Sequence, residues 1–312
     1  MKRIQYHHYG GPEVMRLEDF EPAPLGTGEV LVRVRAAAAN PYDWRVRNGE
    51  LKILTGRRFP RGMGYDFSGI VAAIGPGVTR LSIGDEVLGA AQLKASGAFA
   101  EAVVAAGRGV VKKPTQLSFE EAAAIPTVGS AALQSLVDKG RLTAGQSVFV
   151  HGCLGGVGRA AVQIASARGA AVVAGSCRAS AMPHARACGV YPVVEFGSIP
   201  SILNGKFDIV LDTVGTLAPK TARTLLKPGG RIVDIVPSAG KLVRSLLPGN
   251  PYNVVLTQTK ITDLDELARA CAKGVLRLPI VQTVPLSHAI AALTELELNN
   301  TPKGGKLIVT AN

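Results

Sequence analysis

Seven residues, Gly152-Cys153-Leu154-Gly155-Gly156-Val157-Gly158, stand between an apolar run, Ser147–His151, and an alanine-rich segment that ends at Arg168-Gly169. Glycine permits positive φ and lets the backbone come close to a bound group. Where such a turn opens a helix, the first amides point at negative charge, and the group that fits is a pyrophosphate. The glycines at 152, 155 and 158 depart from the usual G-x-G-x-x-G spacing. The assignment therefore rests on context: a strand before, a helix after, and a further strand at Ala171–Gly175. This nominates Gly152, Gly155, Gly156 and Val157 as contacts to a dinucleotide. The end of the further strand chooses between dinucleotides. Folds that take NADH carry a carboxylate there, about 20 residues past the glycines, for the ribose 2′-hydroxyl. Val172–Arg178 has none. Ser176 can donate to a 2′-phosphate and Arg178 can pair with it, which selects NADPH.

The remaining reactive side chains are scattered. His7, His8, His151, His184 and His288 form no constellation. Cys153, Cys177, Cys188 and Cys271 lack C-x-x-C spacing and a neighbouring histidine pattern, so no metal site is expected. Reduced thiols and a cytoplasmic chain are the expectation. Arg45, Arg47, Lys52, Arg57, Arg58 and Arg61 crowd one segment in which Glu50 is the single acid. That segment reads as an electropositive rim for an anionic or carrier-linked acceptor.

The elements that must position these residues follow from periodicity. Val30–Arg35 alternates apolar and charged residues, and Phe67–Ile74 and Glu86–Leu88 are strand-like, separated by Gly-Pro-Gly and Gly-Asp turns. Ser118 with Glu121 is a capping box that opens a helix to Ala124, and a second helix spans 130–139. Apolar strands at 147–151, 171–175, 208–212 and 231–236 alternate with helices at 158–168, 182–188 and 217–226, the pattern of a parallel sheet covered on both faces. Helices at 264–273 and 287–297 and a strand at 306–310 close the chain.

A length of 312 residues predicts two domains. With 35 basic against 23 acidic residues, the formal net charge of +12 raises nucleic acid, a membrane surface or an anionic ligand as partners. Aromatics make up 5% and are scattered, with no nucleic-acid motif, which argues against nucleic acid as a partner. No run of about 18 apolar residues offers a membrane span. Tyr6 to Gly11 interrupts any leader-like apolar run.

Several motifs together resemble the medium-chain dehydrogenase/reductase superfamily, in its zinc-free quinone oxidoreductase branch. They are Asn40-Pro41-Tyr42-Asp43, Gly64-Tyr65-Asp66-Phe67-Ser68-Gly69, Gly84-Asp85-Glu86-Val87, Glu120–Ala124, Gly155–Gly158, Asp212–Gly215, Lys227–Gly230 and Gly305-Lys306. The resemblance covers nearly the whole chain. It implies an α/β fold in which a doubly wound Rossmann sheet, residues 122–262, is inserted into a GroES-like β-barrel catalytic domain, residues 1–121 and 263–312. Substrate and nicotinamide would meet between the domains. A short connection between 236 and 251 implies a trimmed loop. Val254–Leu256 would be an edge strand through which a homodimer forms. Zinc-dependent relatives have a cysteine ligand where this sequence has Asn40 and a Gly-His-Glu stretch where it has Gly64-Tyr65-Asp66, and no metal is implied. The resemblance also places Asn40 beside the nicotinamide ribose, makes Tyr42 and Tyr65 candidate donors to a developing oxyanion, and adds Thr127, Phe196, Asp212, Val214 and Val236 as cofactor contacts. Asp43 is implied as a structural hydrogen-bonding residue as much as a catalytic one.

Without a metal, hydride must go to an acceptor that is already electron-poor. The implied activity is NADPH-dependent reduction of a small quinone or enone. A trans-acting enoyl-thioester reductase is the second enzyme reading. It is weakened by Leu51, which stands where that branch carries a proton-donating tyrosine. A nucleotide-binding protein that binds RNA with little turnover is the reading from another class.

Overall fold

The computed structural model describes residues 1–93, 97–299 and 304–311. Contacts divide the chain into two compact units. Met1–Thr127, Thr259–Gly274 and Leu278–Asn312 form the first; Val128–Gln258 and Val275–Arg277 form the second.

In the first unit, strands run in the order Ile280–Pro285, Lys306–Thr310, Glu29–Ala38, Asp66–Ile74, Glu86–Ala90 and Val110–Lys112, and Ala102–Ala106 also pairs with Glu29–Ala38. Val30, Val32 and Val34 point into the core, while Arg33 and Arg35 are exposed. The alternation ends at Ala36–Ala38, where both faces are buried. The helix Phe119–Ala123 packs there through Ala123, which small alanines permit. That helix is capped as expected: Ser118 Oγ accepts from the Glu121 amide and the Glu121 carboxylate accepts from the Ser118 amide.

The second unit is a six-stranded parallel sheet in the order Val193–Glu195, Val172–Cys177, Ser147–His151, Phe207–Asp212, Leu226–Asp234, Tyr252–Val254. The chain starts in the middle at Ser147–His151, builds outward to Val193–Glu195, then crosses over to Phe207–Asp212 on the other side. The switch point lies between the carboxyl ends of Ser147–His151 and Phe207–Asp212, where open α/β sheets bind ligands.

Several sequence expectations need correction. The strand expected at 231–236 is Leu226–Asp234 and the edge strand expected at 254–256 is Tyr252–Val254. Asp234 ends the first: its carboxylate accepts the Val236 amide at 2.7 Å and the Tyr252 hydroxyl at 2.6 Å, turning the chain away. The stretch expected to be a trimmed loop holds a helix, Ala239–Ser245, capped by Ser238. The helix expected from 130 starts at Pro126, because proline is tolerated in a first helical turn, and runs through Leu133 into a π-helical segment, Gln134–Lys139. Pro41–Arg47, which no periodicity marked, is a helix with proline in its first turn.

Two members of the basic segment turn out to be core residues. Arg47 is fully buried and donates through Nη2 to both Glu297 carboxylate oxygens at 2.7 Å, joining the helices Pro41–Arg47 and Ala289–Asn299. Removing one partner of a buried pair leaves the other charge uncompensated, at a cost of about 3 kcal/mol. Glu297→Ala is therefore expected to lower the unfolding free energy measured by urea titration by that amount. A loss indistinguishable from that of a surface substitution would show the pair contributes nothing.

Candidate functional site

The glycine turn lies at the carboxyl end of the central parallel strand. Gly152 has φ +83°, and a Cβ there would come within 2.5 Å of both Thr213 Oγ1 and Val214 Cγ2. Gly158 admits no side chain, because a Cβ would lie 2.0 Å from the Gly152 carbonyl oxygen. Both glycines are required by packing. Gly155 is not. Its φ is −70°, and an added Cβ would meet only Gly152 O, at the ordinary distance of 3.4 Å. It is exposed and stands as the N-cap of the helix Gly156–Ala167, whose first amides have no helical partner. The open space at Gly155 is a cradle that a side chain would fill, which fits a bound pyrophosphate. Gly156 is exposed on the same turn and Val157 is half-buried.

Around the turn the strand ends place several nominated residues together. Asp212 is buried, and its carboxylate accepts the amides of Val214, Gly215 and Leu217 at 2.7–2.9 Å. It shapes the 213–217 loop and has little capacity left for a ligand. Val236 packs on Gly215, where a Cβ would come within 2.6 Å of it. Val214 is exposed and Phe196 half-buried.

Ser176 departs from expectation. It is fully buried, and its hydroxyl lies 2.7 Å from His151 Nδ1, turned away from any surface phosphate. In the sequence His151 is an ordinary histidine outside any constellation. It bridges Ser176 and Thr216 (Nε2 to Oγ1, 3.1 Å) and meets the Phe196 ring edge-on at 4.9 Å. Burial lowers its pKa and keeps the ring neutral. Its position directly before the first glycine was the available signal. Arg178 is exposed just past the same strand, and among the described residues no hydrogen bond or ion pair engages its side chain.

In the first unit, Asn40, Asp43, Asp66, Thr127 and Lys306 form one network. Asn40 is buried; its Nδ2 donates to Asp66 Oδ2 at 2.9 Å and to Ala38 O at 3.2 Å, and its Oδ1 accepts from Lys306 Nζ at 2.6 Å. Thr127 donates to Asp66 through its amide at 3.1 Å and its hydroxyl at 2.6 Å. The hydrogen bonds of Asn40 and Thr127, both nominated as cofactor contacts, are thus directed into this network. Asp43 accepts the Asn40 amide at 2.7 Å and so fastens the start of the helix Pro41–Arg47.

Burial, opposed by the Asn40 amide, pushes the Asp43 carboxyl up to about 8. A raised carboxyl pKa favours the protonated form in the fold. Its contribution is therefore complete below the ordinary carboxylate range and is lost as pH rises toward 8. Asp43→Asn keeps an acceptor for the Asn40 amide and cannot ionise. Urea midpoints should then show wild type falling progressively behind Asp43→Asn between about pH 5 and pH 8. A difference constant across that range would contradict the assignment.

Tyr42 and Tyr65 meet edge to face, with centroids 5.0 Å apart. Tyr65 is buried and its hydroxyl donates to Leu93 O at 3.3 Å. Tyr42 is half-buried, and among the described residues no hydrogen bond engages its hydroxyl. Burial and neighbouring Asp43 raise its pKa, so it remains a donor. Nearby, the expected electropositive rim contracts. Arg47 and Arg61 are buried, Arg61 donating to Thr55 O at 2.6 Å, and Arg45 pairs with Glu50 at 2.8 Å. Lys52, Arg57 and Arg58 remain exposed. All four cysteines are free thiols, and among the described residues no helix is long and apolar enough to cross a membrane.

Comparisons with known proteins address the family of the chain. Residues 26–115 match the family model described as alcohol dehydrogenase GroES-like domain, and residues 192–309 match one described as zinc-binding dehydrogenase. A quinone oxidoreductase of Pseudomonas aeruginosa is 30% identical over 96% of this chain and 97% of its own length. A 2-methylene-furan-3-one reductase of Solanum lycopersicum is 33% identical over 81% of this chain and 69% of its own. A mycocerosic acid synthase-like polyketide synthase of Mycobacterium tuberculosis is 33% identical over 75% of this chain, which spans only 11% of that protein. The solved structure of a quinone oxidoreductase from Coxiella burnetii superposes with a TM-score of 0.90 at 30% identity, covering 100% of this chain and 99% of that one.

Proposed function

The chain belongs to the medium-chain dehydrogenase/reductase superfamily, in its quinone oxidoreductase branch, and on that premise we propose that it is a zinc-independent, NADPH-dependent reductase of quinones or α,β-unsaturated carbonyls. Membership makes it an oxidoreductase with a nicotinamide cofactor. The observation that carries the finer reading is the closed set of partners around Asn40. At the positions where zinc relatives hold metal ligands, the Asn40 oxygen faces the Lys306 ammonium, and the Asp66 carboxylate is filled by Thr127 and Asn40. An ammonium beside two neutral donors and an occupied carboxylate does not fit a zinc ion, which takes thiolate, imidazole or free carboxylate. A plain ketone or alcohol would then lack a Lewis acid.

When bound, the nicotinamide supplies the hydride, and conjugated acceptors spread the arriving charge onto oxygen. The residues have separate tasks. The Gly156 and Val157 amides would hold the pyrophosphate, beside the open space at Gly155. Arg178 pairs with the 2′-phosphate, in a strand end without a carboxylate. Tyr42, its ring braced by Tyr65, donates to the developing oxyanion. Exposed Lys52, Arg57 and Arg58 favour acceptors with anionic groups.

A screen of NADPH oxidation over quinones, enones, enoyl thioesters and simple aldehydes, with NADH as control, tests the proposal. Turnover of quinones or enones, with NADPH preferred, is expected. Turnover confined to enoyl thioesters would favour the second reading, which the similarity to a polyketide synthase supports and which Leu51 weakens. No turnover of any acceptor would overturn both. Activity confined to aldehydes and lost with a chelator would return the chain to the zinc enzymes.

A further inference from the structure

Lys306 is an unusual residue to find at the buried start of a strand. It is 7% exposed and lies beside two buried carboxyls, Asp66 and Asp43. Its ammonium donates to Ala39 O at 2.7 Å and to Asn40 Oδ1 at 2.6 Å. The lysine nitrogen donates here, and both Asp66 oxygens accept, Oδ1 from the Thr127 hydroxyl and Oδ2 from Asn40 Nδ2. Between Lys306 on one side and Asp66 on the other, the Asn40 carboxamide has one permitted orientation: oxygen to lysine, nitrogen to aspartate. The same residue is the N-cap of the helix Pro41–Arg47, and its amide is tied to Asp43. The Ala39 amide, one residue earlier, donates to Leu307 O at 3.0 Å. The strand Lys306–Thr310 thus grips the chain at both residues that precede the helix.

We propose that Lys306 is a positioning residue: by fixing Ala39 and the Asn40 carboxamide it sets the register of the helix Pro41–Arg47 and so the placement of Tyr42 against the acceptor. The proposal rests on the reading that Tyr42 meets the acceptor. Lys306 itself touches neither acceptor nor cofactor in this account.

The single variant Lys306→Met leaves Asp66 buried without a counter-charge, and a folding defect there would be uninformative. The double variant Lys306→Met/Asp66→Asn removes both charges. Its new carboxamide can still accept from Thr127, and Asn40 can reverse to accept from it, so neither charge of the Lys306–Asp66 pair is left buried alone, while Ala39 O loses its lysine donor and the fixed orientation is lost. Trp44, the one tryptophan of the chain, stands half-buried on the same helix and reports its packing independently of activity. The double variant is expected to fold with an unchanged Kd for NADPH. Its kcat with quinone or enone should fall by about 10- to 100-fold, the scale of a small misplacement of reacting groups. Trp44 emission should shift to the red, with increased acrylamide quenching. Wild-type kcat together with wild-type Trp44 emission would overturn the proposal. Lost turnover with unmoved Trp44 emission would overturn it too, because Lys306 would then act by another route. Should the wild-type protein reduce no acceptor, the reductase reading fails by itself, and the Trp44 signal still decides whether Lys306 holds the helix.

Discussion

Gly155→Ala is expected to weaken nicotinamide-cofactor binding about 100-fold while barely changing stability, whereas Gly158→Ala is expected to damage the fold itself. The two glycines lie three residues apart in one turn, yet the reasons for their lack of a side chain differ. At Gly158 a Cβ would be 2.0 Å from Gly152 O and 2.9 Å from Cys153 backbone carbon, and neither backbone atom can yield without displacing the turn. Overpacking of that kind costs about 3 kcal/mol or more, which for a chain of this size lowers the melting temperature by about 5 °C. At Gly155 the backbone is extended and the space is open. Alanine there loses at most about 1 kcal/mol of N-cap preference. Its methyl group, however, would occupy the place where a pyrophosphate approaches the first amides. Melting curves paired with cofactor titration separate the two effects. If Gly155→Ala binds cofactor as well as wild type, the phosphate is not held at this turn.

Arg178→Ala should raise the Kd for NADPH about 10- to 100-fold and leave that for NADH nearly unchanged, since a hydrogen bond to a charged group is worth about 1.5–3 kcal/mol. The structure sharpens this expectation. Ser176, nominated with Arg178 for the 2′-phosphate, is turned inward onto His151, so the discrimination falls on the arginine alone. Arg178 is exposed, and no described residue competes for its guanidinium. Isothermal titration with both cofactors reads the effect. Equal losses for the two would show that Arg178 does not meet the phosphate.

What could be read in the sequence was what depends on neighbours along the chain. The glycine turn, the Ser118–Glu121 cap, the alternation in Val30–Arg35 and the strands at 147–151 and 306–310 are set by spacing over a few residues, and each is found where spacing put it. What could not be read depends on partners far away in sequence. Arg47 looks like any surface arginine until Glu297 is brought to it. Ser176 looks like a ligand contact until His151 crosses from the adjacent strand. Lys306 carries no local sign that it will be buried against Asn40. The helix Pro41–Arg47 has no sequence signature, because proline followed by mixed polar and aromatic residues gives no 3.6-residue period. Its stability comes from Asp43 and from the strand that holds Asn40.

The central claim is that hydride passes from the cofactor to an electron-poor carbon acceptor, and isotope transfer tests it most directly. NADPH carrying deuterium at both C4 positions of the nicotinamide should be oxidised in the presence of an enone and yield a saturated ketone carrying deuterium at its β-carbon, without added metal and in the presence of chelator. A saturated product without deuterium, or an enone left unreduced while zinc restores reduction of a simple aldehyde, would contradict the account.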